Sequence, residues 1–551
     1  MAVHTQLLVR RYLTTRIIPL IAVAAVALCT ALVIIVVSVM SGFLENLRNS
    51  GRTLMGDVVL SRPVQGIPWY GELVRDLEAL PGALAASPLV DTYGLVRMPY
   101  PDGPSKDVVT AQVWAIDPES FARVTDFDRT IWWKPAASRE DALAMGEDDP
   151  RRSIGDGPLN DARAMRDLAT GRPGALLGMH VSVANQRQRD GSYRPRVAHW
   201  WMPRHEVSVT LVPISERGTV SQSNSRTFKV VNEVMSGVFQ VDRNRVFIPL
   251  KDGQELLRLD EAPIVDTEAE PDAQGNYPVV GTSPARATQV LVRAKPGTSA
   301  DELKEQVEKA YEQFWLRASA DPARRTKPPA PESVSIMTWN ERLRDLIGPV
   351  EKERQMMMIL FSITGLVCAG LILAIFWAIV AEKTRDIGIL RAVGAGRGGV
   401  MAIFLRYGLA IGVAGALIGT GLAWVVVGNI NDIHHALGER APTWAWAGTF
   451  LLAALAAAGA VRGLARASAL GTLLWSVGAL ALAGVGTGLM LHQGFLMWDP
   501  AVYYFATIPS TMDWAAARVI GAGAVVCSVL GAAVPAARAA DIDPVRALRY
   551  E

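Results

Sequence analysis

The sequence is poor in the residues that make enzymes and metal sites. Among 551 residues there are three cysteines and seven histidines. Cys29, Cys368 and Cys527 each lie inside an apolar run, without metal-site spacing and without a pair placed to staple a soluble domain, so they read as small packing residues. There is no G-x-x-x-x-G-K-S/T phosphate loop, no G-x-S-x-G elbow and no H-E-x-x-H helix. The chain therefore lacks the usual means of hydrolysing a nucleotide or a peptide. Neither a cofactor of its own nor a nucleic-acid partner is expected. The acidic loops "GEDDPRRSIGDG" and "EAEPDAQGNYP" lack the fixed spacing of a calcium loop and read as solvated. His434 and His435 have no carboxylate or cysteine at matching helical spacing and read as a loop pair.

What is present is apolar sequence, unevenly placed. Hydrophobic residues make up 50% of the chain. They collect in one block near the N-terminus and several beyond residue 355, while 44–354 reads like a soluble protein. A membrane helix needs about 20 apolar residues. Residues 17–43 qualify, with Pro19 in the first turn, where its missing N–H costs little. The run is too long for a cleaved signal and reads as an anchor. Further spans fall at 355–381, 400–428 and 514–537, and a hairpin over 439–496 supplies two more, about 444–461 and 468–491. That makes six.

Lysine and arginine in the short loops set the orientation. Arg10, Arg11 and Arg16, then Lys383, Arg385, Arg391 and Arg397, then Arg462 and Arg466, then Arg538, Arg546 and Arg549 all fall on one side of a six-span chain. The opposite loop 429–443 holds only Arg440, and 492–513 holds no Lys or Arg. The N-terminal segment 1–16 and the tail 538–551 are thus expected in the cytoplasm, and 44–354 outside it. Arg518, about one turn into the last span, is expected to snorkel outward.

The outer region alternates short apolar runs with helical spacing. "GDVVLSR", "YGLVRMPY" and "VVTAQVWAI" read as strands, and "GELVRDLEALPG" as a helix with a Pro-Gly stop. The texture returns after 285, where "SADELKEQVEKAYEQFW" is a helix capped by Ser299 between two strands. This predicts an α/β subdomain split into about 57–125 and 285–340, with a β-rich insertion between, and a loop around 135–175 that is unusually long.

Between the second and third spans lies "EKTRDIGILRAVGAGRGGV". Ile387, Leu390 and Val393 recur every three residues, Arg385 and Arg391 fall on the polar side, and Gly394 and Gly396 end the run. On spacing alone a short surface helix and a loop that merely fixes topology fit equally. The segment and its sequel "MAIFLRYGLAIGVAGALIGTGLAW" resemble the signature of FtsX-like, MacB-type ABC transporter permeases. "FKVVNEVMSGVFQVDRNRVFIPL", "TWNERLRDLIGPVEKERQMMMIL", "DPAVYYFATIP" and "AADIDPVRALRYE" are similar to the lipoprotein-releasing LolC/LolE branch.

The resemblance implies an α-helical membrane protein with a large extracytoplasmic α+β domain of the MacB-like periplasmic core type, placed in the inner membrane. It implies that 382–399 is a coupling helix docking on a separate cytoplasmic ATPase, which binds ATP and Mg, through Lys383, Arg385, Asp386, Ile387, Leu390, Arg391 and Gly394. Ile387, Leu390 and Val393 would anchor the helix to the membrane part. A second permease chain, identical or different, is implied, with a dimer cavity lined by the first two spans and by Phe43, Leu44, Leu47, Leu343, Leu346 and Ile347. Membrane lipid and a periplasmic lipoprotein carrier complete the expected partners, and ATP-driven motion would pass through the helices as mechanotransmission. The family usually has four spans, so 439–496 is a departure, expected to be a peripheral packing element. Two relatives' roles compete: control of a cell-wall hydrolase, which goes with a smaller outer domain, and efflux, which usually goes with an ATPase fused ahead of the first span.

Overall fold

The computed structural model describes residues 17–99, 106–138, 150–152, 154–182, 185–187, 193–195, 202–214, 219–236, 239–265, 277–438, 442–465, 469–491, 498 and 507–543. Arg10, Arg11, Arg16, Arg440, Arg466, Arg546 and Arg549, most of "DPAVYYFATIP" and the "EAEPDAQGN" loop lie outside them. The chain divides into two compact units, Leu47–Ile347 with Pro500–Ala506, and Met1–Asn46 with Gly348–Asp499 and Thr507–Glu551. Helix α1 (Ile17–Thr53) opens the described chain.

The first unit is built on one sheet of nine strands: β1 (Val58–Ser61), β2 (Ala83–Pro99), β3 (Lys106–Ile116), β4 (Gly174–Gly178), β5 (Glu206–Leu211), β6 (Asn224–Val234), β7 (Arg245–Pro249), β8 (Gln289–Ala294) and β9 (Ser335–Thr338). The order is β9-β1-β8-β2-β3-β7-β4-β6-β5. The strands of the segment expected as a β-rich insertion continue this sheet. The cause is the length of β2, 17 residues. Its first half pairs with β8 and its second half, Gly94–Arg97, pairs with β5. The sheet thereby closes on itself, and β2, β3, β7, β4, β6 and β5 form a barrel. Gly94 permits the closure, since a Cβ there would lie 2.5 Å from Leu211 Cδ2 and 2.8 Å from the Thr210 carbonyl oxygen. Val96, Val113, Val209, Phe228, Val246 and Ile248 fill the interior.

Side-chain alternation along each strand supplies two further cores. Against β1, β2 and β8 pack helix α2 (Tyr70–Glu78), through Leu73 and Leu77, and a longer helix near the C-terminal end of the unit, through Leu303, Val307, Tyr311 and Phe314. On the opposite face Trp114, Phe121, Phe127 and Phe247 meet edge-on or tilted, with centroids 5.4–6.3 Å apart. Helix α3 (Leu250–Leu257) contributes Leu250 and Leu256 to the barrel core. The longer helix is α4 (Ala300–Ala320), where the Ser299 hydroxyl accepts the Glu302 N–H at 3.1 Å.

The second unit is helical. It holds most of α1, α5 (Arg344–Glu382), α6 (Thr384–Ala392), α7 (Arg397–Gly428), α8 (Ile430–Gly438), α9 (Thr443–Ala465), α10 (Ala469–Leu491) and α11 (Trp514–Ala540). Among the described residues α1, α5, α7, α9 and α11 are long and apolar enough to cross a membrane, and the apolar α10 runs for 23 residues. Small residues let α7 approach its neighbours, as expected where lipid removes the hydrophobic drive between helices. A Cβ on Gly408 would lie 2.6 Å from Ala532, and one on Gly412 2.9 Å from Ser528, both on α11. One on Gly415 would lie 2.6 Å from Val26, and one on Gly419 2.5 Å from the Ala27 oxygen, both on α1. The buried Ser528 hydroxyl donates to the Gly408 carbonyl at 2.7 Å.

Two smaller features complete the unit. α9 and α10 pack antiparallel, with Gly459 beneath the Trp475 ring and Gly486 against Thr449 and Phe450. His434 and His435 sit within helix α8, not in a loop, with ring centroids 5.6 Å apart. No cluster of metal-ligating side chains occurs among the described residues.

Candidate functional site

The segment after α5 is held by a sequence of local devices. The helix breaks at Lys383, whose φ of −100° and ψ of 11° turn the chain into α6. Thr384 Oγ1 donates back to the carbonyls of Val380 and Ala381 at 3.0 and 2.9 Å, closing the last turn of α5. Lys383 Nζ donates to Asp386 Oδ2 at 2.8 Å. α6 ends on Gly394 at φ +101°, a conformation that suits glycine. The Gly394 N–H reaches the Arg391 carbonyl at 3.1 Å and the Ala395 N–H reaches the Leu390 carbonyl at 3.0 Å. This pair of bonds is the Schellman stop.

The faces of α6 differ from the periodicity reading. Ile387 is buried at 3% exposure among Val380, Val400 and Ala539, but Leu390 is 40% and Val393 84% exposed. Only Ile387 anchors. A three-residue step turns the helix by 300°, so each successive residue slips about 60° off the buried line. The position that stays near the line is four residues on, and that is Arg391. Instead of taking the polar side, its Nη1 donates to the Ala540 carbonyl at 2.6 Å, satisfying an oxygen at the C-terminal end of α11. The outward face carries Arg385, Ile389, Leu390 and Val393. Arg397 pairs with Asp541 at 3.7 Å, both exposed, and the Arg538 guanidinium lies 4.2 Å above the Trp377 ring.

The residues expected to line a dimer cavity have little exposure within the single chain. Phe43, Leu44, Leu47, Leu343 and Ile347 have at most 8% exposure. Phe43 meets Trp498 edge-on at 6.1 Å, and a Cβ on the adjacent Gly42 would strike Pro509 at 2.5 Å, so this end of α1 is covered by the segment before α11. Leu346 belongs to α5, and its side chain lies outside the described residues. A cavity of about 310 Å³ lies between α1, α5 and α11, lined by Val26, Cys29, Met358, Phe361, Cys368 and Cys527 among others. The three cysteines, 339 and 159 residues apart in sequence by subtraction, share this one space. Their similar depth within their own spans was the available signal.

Comparison with known proteins gives this geometry a context. Residues 358–469 match the family described as FtsX-like permease C-terminal. The chain is 24% identical over 427 residues to the lipoprotein-releasing system transmembrane protein LolC of Neisseria meningitidis, covering 76% of this chain and 80% of that protein. It is 22% identical over 219 residues to LolE of Haemophilus influenzae, covering 40% of each. The periplasmic region of MacB from Actinobacillus actinomycetemcomitans overlaps 55% of this chain and 97% of its own length at 9% identity, with a TM-score of 0.27, too low to bear on the fold.

Proposed function

Taking an FtsX-like ABC transporter permease of the LolC/LolE type as the premise, we propose that this chain couples ATP hydrolysis by a separate cytoplasmic ATPase to movement of its outer domain, and so extracts lipidated proteins from the inner membrane. The domain 44–354 is read as periplasmic, both termini and α6 as cytoplasmic. ATP and Mg bind to the ATPase. A second permease chain completes the membrane part, lipid surrounds it, and a periplasmic carrier receives the product.

One observation carries the reading. α6 is fixed from behind by Ile387 and Arg391 and fenced by a turn at each end, yet it leaves Ile389, Leu390 and Val393 bare beside Arg385. A topology signal needs positive charge but has no use for a rigid helix with apolar side chains turned outward. A docking helix needs both. The contact would be chiefly apolar, with Arg385 at its rim. Lys383 and Asp386 neutralise each other, and Gly394 sets the exit angle.

The experiment is pull-down of the ATPase by full-length permease variants whose insertion is verified separately. Leu390→Glu with Val393→Glu should reduce recovery by tenfold or more, since charge in an apolar interface core typically costs about 2 kcal/mol or more. Arg385→Glu should have a smaller effect. Normal recovery and normal coupled turnover in the double variant would overturn the docking role. Mass spectrometry of what copurifies tests the substrate: lipidated proteins support extraction, a cell-wall hydrolase or an outer-membrane channel refutes it.

A further inference from the structure

The first unit sets two guanidinium groups, the buried Arg245 and the half-buried Arg342, around one carboxylate. Asp91 on β2 has a side chain only 13% exposed, and its Oδ2 lies 3.6 Å from Arg342 Nη2. Arg342 ends the short helix Trp339–Arg342, two residues before α5 begins. Gln112 Nε2 donates to Asp91 Oδ1 at 2.8 Å and Gln289 Nε2 donates to Oδ2 at 2.9 Å. Gln112 faces both ways. Its Oε1 accepts from Nη2 of Arg245 on β7 at 3.2 Å. Gln112 is opposite Tyr93 on one side and Arg245 on the other, so all these groups lie on the sheet face outside the barrel.

Arg245 is the anomaly. It is 8% exposed, its Nε is buried without a hydrogen-bond partner, and it is stacked 3.6 Å over the Trp114 ring. A buried guanidinium is costly unless a carboxylate compensates it. Asp242 acts on it from a distance, but Asp242 Oδ1 is taken up by the Ser236 N–H at 2.7 Å and hydroxyl at 2.8 Å. Asp91 is the carboxylate that acts on it most, through space and past the bridging Gln112, while in contact with Arg342. Two cations thus compete for one anion, and one of them is left short.

We propose that Asp91 is the shared contact of a two-position switch, held by Arg342 in this structure and passed to Arg245 when the segment 339–347 at the base of α5 shifts. Gln112 is the pivot. If its amide turns, the bond to Asp91 is released and Arg245 can reach the carboxylate directly. Asp91 keeps one guanidinium partner in either position, which is what a bistable element of this kind requires. The switch would give the proposed transporter a defined second state of its outer domain, but it stands on these residues alone.

The test therefore uses the full-length chain in lipid nanodiscs without an ATPase, so its failure is separable from failure of the transport reading. Hydrogen exchange of backbone amides at 339–347 is measured in Arg342→Met and Arg245→Met. Removing Arg342 frees the segment and should speed exchange there by several-fold, since it breaks a partly buried pair. Removing Arg245 deletes the competitor and should slow it. A network that is merely structural predicts faster exchange in both, and that result would overturn the switch. Arg245→Gln, which keeps a polar group beside Gln112, replaces Arg245→Met if that variant does not fold, with the same opposite signs required.

Discussion

The two units solve the packing problem in opposite ways. The outer unit is held by large side chains: Trp114, Phe121, Phe127 and Phe247 form one aromatic cluster on the sheet, and Phe228 sits inside the barrel. The helical unit is held by what is missing, as the glycines of α7 let Ala27, Ser528 and Ala532 approach within distances no Cβ would allow. Water explains the difference. Around the outer unit, every buried aromatic removes apolar area from solvent at roughly 25 cal/mol per Å². Between membrane helices a large side chain gains nothing over lipid, so close backbone contact and the Ser528 hydrogen bond take over. The same residue type therefore means different things in the two units, and substitutions should separate them.

The largest effect is expected in the outer unit. Phe247→Ala empties the centre of the aromatic cluster and should destabilise this unit by about 3–5 kcal/mol, read as a lowered denaturant midpoint. Next comes Glu233, fully buried on β6 with neutral donors, Trp133 Nε1 at 2.6 Å and Asn185 Nδ2 at 2.7 Å. Burial pushes its carboxyl up to about 7. A carboxyl raised in the folded state contributes stability that is full below its unfolded value of about 4.5 and is lost as pH rises through about 7. Glu233→Gln should abolish that loss, worth on the order of 3 kcal/mol between pH 4 and pH 9, with Asn185 turning its amide to accept from the new donor. Unfolding curves as a function of pH, compared between wild type and variant, check the sign. The smallest effect is in the helical unit. Gly419→Val should cost about 1–3 kcal/mol by driving α7 off α1, whereas Gly421→Ala, two residues away with nothing within 4 Å, should be neutral. Thermal unfolding in detergent compares the pair, and equal losses would mean that glycine acts there through the backbone and not through contact.

Much of this architecture was legible because its signals are local. A run of apolar residues near 20 is a span whatever it packs against, Ser299 caps a helix within its own turn, and Gly394 marks a stop by its own φ. What was not legible depends on rotation and register. The three-residue recurrence of Ile387, Leu390 and Val393 looks like one face, but only Ile387 meets α11, and Arg391 turns inward to the Ala540 carbonyl. Asp91, Gln112, Arg245, Gln289 and Arg342 come from five distant stretches, and only the pairing of β2, β3, β7 and β8 brings them together. Sequence places the β-rich stretch between about 125 and 285 in an insertion, and nothing in β2 announces that its two halves will pair with different neighbours on one edge and so join that stretch to the same sheet.

That pairing imposes an order of events at birth. β1 finds both its neighbours, β8 and β9, only at Val58↔Val292 and Val58↔Thr338. At synthesis rates of about 5–20 residues per second, β1 waits for tens of seconds with both edges bare. The barrel strands β2 to β7 are complete earlier in the chain, so they can close first and present the upper half of β2 already paired. The lower half of β2 then remains the template on which β8, and after it β1 and β9, must assemble. Secretion and folding are thus interlocked: the last strand of the sheet emerges directly before α5 enters the bilayer, and the outer unit cannot be finished until the second membrane helix is about to be made.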